Sequence, residues 1–206
     1  MAIIRKKKRA AKPAGNKPAG NTPAGNRPAG KKSSPAAAAS LVGALTDAPR
    51  VSMGGAVRRR VDGWLGDIGR SRSGKALAKL VSGSPRLAVI LAGLAEGSPF
   101  LWDVATTEPD RLLAVLTSDP GEHLTELLAR TSSAVDASKD EAETMRLLRR
   151  MKTEAALLIA LADIGGVWPV ARTTRALTEL ADTAVTAAVR FLLREAAGRG
   201  RFKPGN

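Results

Sequence analysis

Few side chains in this 206-residue sequence have the type and spacing that catalysis requires. The absence of cysteine excludes a disulfide framework, a thiolate zinc site and a cysteine nucleophile. The single histidine, His123, excludes a histidine-rich metal centre and is the only residue on which a Ser-His-Asp triad could be built. Because His123 falls in the first turn of a predicted helix, we predict a solvent-facing or capping role for it.

The carboxylates show no pattern typical of phosphoryl transfer. Two-metal chemistry uses clustered acidic side chains to hold Mg²⁺ against phosphate, yet the ten aspartates include no Asp-x-Asp pair. No glycine-rich loop joins a predicted strand to a helix, so the fingerprints of a dinucleotide site and a P-loop are missing. We therefore assign no catalytic, cofactor-binding or metal-binding residue to this chain.

Three other features could bind an ion or stack on a ring, but each has a simpler structural interpretation. Asp163 stands at the apolar end of a helix, where a buried carboxylate would need a cation such as Arg172 or Arg175. The arginine run Arg58, Arg59 and Arg60 opens a helix and is expected to be a solvated face. The three tryptophans, Trp64, Trp102 and Trp168, are expected to anchor the core. Trp168 falls in the turn between two long helices.

The positive charge is concentrated at the N-terminus. The chain carries 33 Lys and Arg against 19 Asp and Glu, and residues 1–35 hold ten of these cations and no acid. Residues 12–31 form four pentapeptides whose prolines and glycines prevent a helix or a ladder from propagating. We predict that residues 1–35 form a disordered basic tail. The tail could bind a polyanion by counterion release. Alternatively, it is only a solubilising extension, or an upstream stretch included by a misplaced start codon.

From Leu41 onward the start and stop signals are those of helices, and no alternating run predicts a strand. Proline in a first turn after Ser or Asp marks helix starts, and glycines mark the ends. The pairs Asp119 with Glu122, and Ser138 with Glu141, have the spacing of capping boxes. The predicted fold class is all-α, a multi-helix array over residues 36–206. Its helices are expected over 36–45, 57–68, 74–81, 85–96, 99–106, 109–117, 120–132, 139–164 and 170–197.

The last two helices are predicted to form a long antiparallel hairpin, because residues 165–170 make only a short connection. In the first of them, residues 155–164 should be buried all round except at Asp163, and Met145 and Met151 should face inward. In the second, one apolar stripe should face the core: Leu177, Leu180, Ala181, Ala184, Ala188 and Phe191.

Neither a membrane span nor a secretory signal is evident in the sequence. The longest apolar runs, residues 87–92 and 155–162, are far shorter than the roughly 20 residues that a span needs. No apolar segment follows the basic N-terminus, as a secretory signal would require. We expect a soluble cytoplasmic protein.

Residues 84–130 and 145–196 resemble, in order and register, the N-terminal region of the bifunctional glutamine synthetase adenylyltransferase/adenylyl-removing family. The first shared feature is the turn Glu-Gly-Ser-Pro-Phe-Leu at 96–101, followed by a helix that opens with Asp-Pro. The second is a long helix with Leu-Arg-Arg-x-Lys-x-Glu that ends in Ile-Ala-Leu-Ala-Asp at 159–163. The third is Thr-x-x-Leu-Thr-Glu-Leu-Ala-Asp at 174–182. The resemblance covers about residues 56–200.

The resemblance implies a role in bacterial nitrogen control. One half of such an enzyme transfers AMP from ATP to a tyrosine of glutamine synthetase, the other removes it by phosphorolysis, and glutamine and the PII signalling protein set the balance. The resemblance implies ATP and Mg²⁺ for the full-length enzyme but not for this chain. In the family, the nucleotidyltransferase core carries a glycine-rich turn and a magnesium-binding Asp-x-Asp, and both would follow the segment that corresponds to residues 191–195. We expect a helical scaffold of the adenylyl-removing half that lacks the nucleotidyltransferase core, from a truncated or fragmentary form of the gene, or a relic.

Two hypotheses from other classes stand beside this one. A non-enzymatic helical module could use the basic arm to bind nucleic acid or another polyanion. It predicts binding to random DNA that weakens steeply with salt and disappears when residues 1–35 are removed. A purely structural helical adaptor would show neither binding nor catalysis.

Overall fold

The computed structural model describes residues 40–52 and 54–200, and these residues form helices and connecting segments without a strand. The predicted all-α class is confirmed for this part of the chain. The predicted tail over residues 1–35, and residues 36–39 of the first predicted helix, lie outside the described residues. The described helices are α1 Leu41–Ala44, α2 Gly55–Ile68, α3 Arg72–Gly83, α4 Pro85–Gly97, α5 Pro99–Thr107, α6 Pro109–Thr117, α7 Pro120–Ala137, α8 Glu141–Ile164 and α9 Val170–Gly198.

Side-chain caps determine where several helices begin. The hydroxyl groups of Ser84 and Ser98 accept hydrogen bonds of 3.4 and 3.3 Å from the amides three residues ahead, just before the prolines that open α4 and α5. The carboxylate of Asp119 accepts from the amides of Gly121 and Glu122 at the start of α7. The Ser-Pro and Asp-Pro pairs therefore predict these three starts correctly.

The second predicted capping box, Ser138 with Glu141, is wrong. The N-cap of α8 is Asp140, whose carboxylate accepts from the amide of Glu143 at 3.1 Å. The shift arises because α7 continues to Ala137, five residues beyond its predicted end. Ser138 is thereby used as the C-cap of α7, and its hydroxyl also bonds the carboxylate of Glu143 at 3.2 Å.

The core is arranged around the apolar half of α8. Helices α7, α8 and α9 pack against one another, and α5 and α6 pack against α8. Helices α2, α3 and α4 pack among themselves and reach this layer through contacts of α3 with α6 and of α4 with α5. Within residues 155–164 every side chain is buried or half-buried except Asp163, which confirms the predicted burial of this segment.

The first half of α8 packs on a narrower face than predicted. Met151 is buried, as predicted, and Leu148 is half-buried, but Met145, also predicted to face inward, is exposed. At 100° per residue, Met145 lies about 120° around the helix from Met151. The core therefore covers only the face centred near Met151.

The apolar stripe predicted for α9 is rotated from the face that packs. Ala176, Ala187 and Phe191 are buried, whereas Leu177 and Ala181, predicted to face the core, are exposed. Leu180, Ala184 and Ala188, also in the predicted stripe, are half-buried. Helix α9 is apolar over more of its circumference than one packing face can cover, so its sequence does not determine which part packs.

The loop after α1 is hydrogen-bonded to the turn between α8 and α9. The amides of Thr46 and Asp47 both donate to the carbonyl of Gly165, at 2.9 and 3.0 Å, and the Thr46 hydroxyl donates to the carbonyl of Gly166 at 2.8 Å. Gly166 has a φ of +64°, which glycine adopts without steric cost. A Cβ atom on Gly165 would collide with the side chain of Leu45 and would lie 2.8 Å from the backbone carbonyl oxygen of Leu161. Glycine is thus required at both positions of this turn.

Candidate functional site

The single histidine lies in a partly buried polar cluster where α6, α7 and α8 meet. The side chain of His123 is only 9% exposed, and its Nε2 lies 2.7 Å from Oε1 of Glu154 on α8. Its Nδ1 lies 2.7 Å from Oγ of Ser118, the C-cap residue of α6. Arg130 of α7 donates to the same Glu154 oxygen at 2.6 Å. We refer to these four residues as the His123 cluster.

The predicted solvent-facing or capping role of His123 is therefore wrong. Its partner Glu154 lies 31 residues further along the chain, and only the packing of α7 against α8 brings the two side chains together. A glutamate within Leu-Arg-Arg-x-Lys-x-Glu is typical of an exposed helix face. The only sequence signal for its burial is that Glu154 immediately precedes the apolar segment 155–164.

The His123 cluster contains a serine, a histidine and a carboxylate, but it is not arranged for nucleophilic catalysis. The hydroxyl of Ser118 lies 2.9 Å from the carbonyl of Ala114 one turn earlier, so its hydrogen has an acceptor besides the imidazole. The Ser118 amide donates to that carbonyl as well, at 3.2 Å, and is not available to an oxyanion. The cluster instead links three helices through charge-assisted hydrogen bonds.

Glu154 is the anionic centre of the His123 cluster. Burial by itself would raise the pKa of the Glu154 carboxyl, because it disfavours the charged form. The hydrogen bond with His123 and the charge of Arg130 outweigh burial, and together they hold the pKa of Glu154 below its usual value. Glu154 is therefore ionised in the folded protein at neutral pH.

The lowered pKa of Glu154 predicts a loss of stability in acid. A carboxyl with a lower pKa in the folded than in the unfolded state stabilises the fold above the unfolded-state value, and this stabilisation disappears as the pH falls through the folded-state value. We expect the free energy of unfolding, measured by urea titration, to fall as the pH drops below about 4.5.

Glu154→Gln should reduce stability at neutral pH and flatten that acid dependence. The matched control is Glu126→Gln, since Glu126 is exposed on the same α7 that carries His123, and it should leave the profile unchanged. Equal pH profiles for Glu154→Gln and the native chain would show that this carboxylate does not link the helices.

Asp163 is exposed, as its exception from the buried segment 155–164 predicts, but its predicted pairing with Arg172 or Arg175 is wrong. Its carboxylate accepts a hydrogen bond of 2.9 Å from the hydroxyl of Thr173. Arg172 bonds Glu179 at 3.2 Å, and its guanidinium lies 4.5 Å from the ring centroid of Trp168. Arg175, the other predicted partner, is exposed. Leu161 and Ala162 beside it are buried in the core, so Asp163 alone is exposed in the last turn of α8, and a carboxylate exposed to water needs no cation.

The predicted structural roles hold for the tryptophans and for two of the three arginines in the run. Arg58 and Arg59 are exposed, as predicted for a solvated face. Arg60 instead donates to the carbonyl of Ala95 at 2.8 Å, and its guanidinium lies 5.1 Å from the ring centroid of Trp102. Trp102 belongs to the main core, and Trp64 and Trp168 pack against it. The rings of Trp64 and Trp102 meet edge to face, with 5.9 Å between their centroids.

The largest group of uncovered apolar side chains lies on α9. Of the eight large apolar side chains that are exposed in the described residues, six belong to this helix. Five of them lie within about 160° of arc, are 46–63% exposed, and are called the α9 face below: Leu177, Val185, Val189, Leu192 and Leu193. Single exposed apolar side chains are ordinary, but five on one side of a helix are typical of an interaction surface.

The described residues offer no candidate metal centre and no single membrane-spanning helix. Within 40–52 and 54–200, no three His, Asp or Glu side chains form a group that could hold an ion. The Mg²⁺ that the resemblance implies for the full-length family therefore finds no fitting set of ligands in this part of the chain. No described helix is by itself long and apolar enough to cross a membrane; α3 and α4 satisfy length and composition only together, and they meet at a bend of 110°.

Comparison with known proteins gives consistent matches to one family. Residues 88–206 match the family described as glutamate-ammonia ligase adenylyltransferase. The bifunctional glutamine synthetase adenylyltransferase/adenylyl-removing enzyme of Bradyrhizobium diazoefficiens is 47% identical over 167 residues, which is 81% of this chain and 17% of that protein. Proteins of the same name from Rhodopseudomonas palustris and Xanthobacter autotrophicus are 49% and 54% identical over 148 and 129 residues, or 72% and 63% of this chain.

The chain spans between 13% and 17% of the length of these three relatives. No solved structure matches it.

Proposed function

Because this chain belongs to the glutamate-ammonia ligase adenylyltransferase family, we propose that it is a helical scaffold region of an enzyme that adenylylates and deadenylylates glutamine synthetase. The relatives from Bradyrhizobium diazoefficiens and Rhodopseudomonas palustris carry both activities in their names. In this proposal the chain packs against the nucleotidyltransferase core of the full-length enzyme, and that core catalyses the addition and removal of AMP.

The α9 face is the observation that carries the scaffold proposal. Leaving five large apolar side chains in water forgoes the hydrophobic free energy that burial would provide. Buried neighbours on the other side of α9, such as Ala176 and Phe191, already hold the helix against α7 and α8. The α9 face is therefore free to pack against a further part of a longer polypeptide, and relatives of this chain have that further length.

The chemical composition of the chain supports a non-catalytic role for it within the enzyme. AMP transfer between a nucleotide and a protein side chain calls for Mg²⁺ held by clustered carboxylates. The full sequence has no Asp-x-Asp pair, and the buried carboxylate of Glu154 is engaged by His123 and Arg130. The helices α7, α8 and α9 would instead fix the position of the catalytic core.

An activity assay with the purified chain tests this proposal. The chain is incubated with ATP, Mg²⁺ and glutamine synthetase, and separately with adenylylated glutamine synthetase and phosphate. We expect no AMP to be added to or removed from the synthetase, as measured by intact mass spectrometry. The full-length Bradyrhizobium diazoefficiens relative is the positive control, and turnover by a homogeneous preparation of the chain would contradict the proposal.

The partners and the location follow from the same proposal. Glutamine synthetase would be the substrate of the complete enzyme, the PII signalling protein would regulate it, and both encounters would take place in the cytoplasm. The binding of a polyanion by residues 1–35 stays a prediction of the sequence, supported by its ten unopposed cations.

A further inference from the structure

An open groove of about 600 Å³ is lined by residues of α5, α6 and α8. The exposed aromatic ring of Phe100, at the start of α5, lines it together with Thr107 and Thr153. Four arginines contribute their side chains to this groove, which we refer to as the arginine groove: Arg111, Arg146, Arg149 and Arg150.

The positive charge in the arginine groove is only partly balanced. Arg149 and Arg150 make no ion pair or side-chain hydrogen bond within residues 40–52 and 54–200. Two carboxylates, Asp103 and Glu108, also line the groove. Glu143 pairs with Arg146 at 3.5 Å, so four guanidinium groups face three carboxylates and a net charge of +1 remains.

Arg111 adds a buried cation beside the exposed ones. Its side chain is 7% exposed, and its guanidinium donates to Glu108 at 2.7 Å and to the carbonyl of Val104 at 2.6 Å. Its Nε is buried and has no acceptor among the described residues. Because the Glu108 carboxylate compensates the charge of Arg111, the uncompensated positive charge of the groove lies on the exposed Arg149 and Arg150.

The composition of the arginine groove is that of a protein interface more than of an ordinary solvated helix face. Arginine and aromatic side chains are enriched at interfaces and dominate their binding energy. Phe100 is 60% exposed and adjoins three exposed arginines on α8. The planar guanidinium groups can each pair with a carboxylate through two hydrogen bonds.

We propose that the arginine groove binds an acidic segment of a protein partner. The carboxylates of that segment pair with Arg149 and Arg150, and one of its apolar side chains packs against Phe100. An extended chain fits an open groove, whereas a small anion would need enclosing donors. This site is separate from the α9 face and does not depend on the scaffold proposal.

Calorimetric titration of the full chain with a short glutamate peptide that carries one central leucine tests the proposal. Arg149→Gln combined with Arg150→Gln should weaken binding of this peptide by about fivefold, as expected for the loss of two exposed ion pairs. The matched control is Arg58→Gln combined with Arg59→Gln, which removes two adjacent, exposed helical arginines outside the groove. This control should change binding by less than about twofold, and the basic residues 1–35 are the same in both variants.

Phe100→Ala, which leaves all charges in place, should also weaken binding of the peptide, and circular dichroism checks that each variant stays helical. Inorganic tripolyphosphate serves as the second probe. Equal losses for the two arginine pairs, no binding of the peptide, or tighter binding of tripolyphosphate with the same dependence on Arg149 and Arg150 would each overturn the proposal. Failure of the scaffold proposal would leave the outcome of these titrations unchanged, because none of the substituted residues lies on α9.

Discussion

Leu158→Ala should lower the free energy of unfolding by about 3 kcal/mol, because it removes buried methyl groups and leaves a cavity. The side chain of Leu158 is fully buried, in the part of α8 that packs against helices on several sides. Neighbouring helices can close such a cavity only by shifting together, so little of the loss is recovered. Urea unfolding followed by circular dichroism measures the change.

The same substitution on the surface provides the control. Leu192→Ala removes identical atoms from the α9 face, where the side chain is about half exposed. We expect a loss within about 0.5 kcal/mol, as for most exposed positions. A loss of similar size at both positions would show that α8 is not the centre of the core.

Local signals in the sequence were sufficient to predict most helices. The caps at Ser84, Ser98 and Asp119 act within three residues of the helix start, so their pattern can be recognised without knowledge of the fold. Burial of residues 155–164 was predictable for a similar reason, since a segment that is apolar on nearly every face has to be enclosed.

The features that sequence reasoning missed depend on contacts between distant segments. His123 is buried because Glu154 and Ser118 reach it from two other helices, and no spacing within α7 encodes that meeting. The predicted ion pair of Asp163 fails because Arg172 bonds Glu179 of its own helix instead.

The orientation of α9 was missed for a different reason. Its apolar residues extend from Ala176 and Phe191, which pack, to Val185 and Leu192, which do not. A helix with one apolar stripe would have one predictable buried face. A helix with two apolar faces is predictable only when both of its neighbours are known, and the proposed second neighbour is the catalytic core.

Leu192→Glu in the α9 face should separate the scaffold from the catalytic core of the proposed enzyme. Packing this position against the core would bury a charge without a partner, at a cost of well over 1 kcal/mol. Thr186→Glu is the matched control, because it adds the same charge to an exposed position of α9 outside the α9 face. Both substitutions leave the buried residues of α9 in place, so the chain itself should remain folded.

The most direct measurement uses a chimera in which this chain replaces the matching region of the Bradyrhizobium diazoefficiens relative. The rate at which the chimera adds AMP to and removes AMP from glutamine synthetase is compared with the rates of its two glutamate variants. We predict that Leu192→Glu lowers these rates by at least about tenfold and that Thr186→Glu changes them by less than about twofold. Equal rates for the two variants would contradict the assignment of the α9 face as the surface that positions the catalytic core.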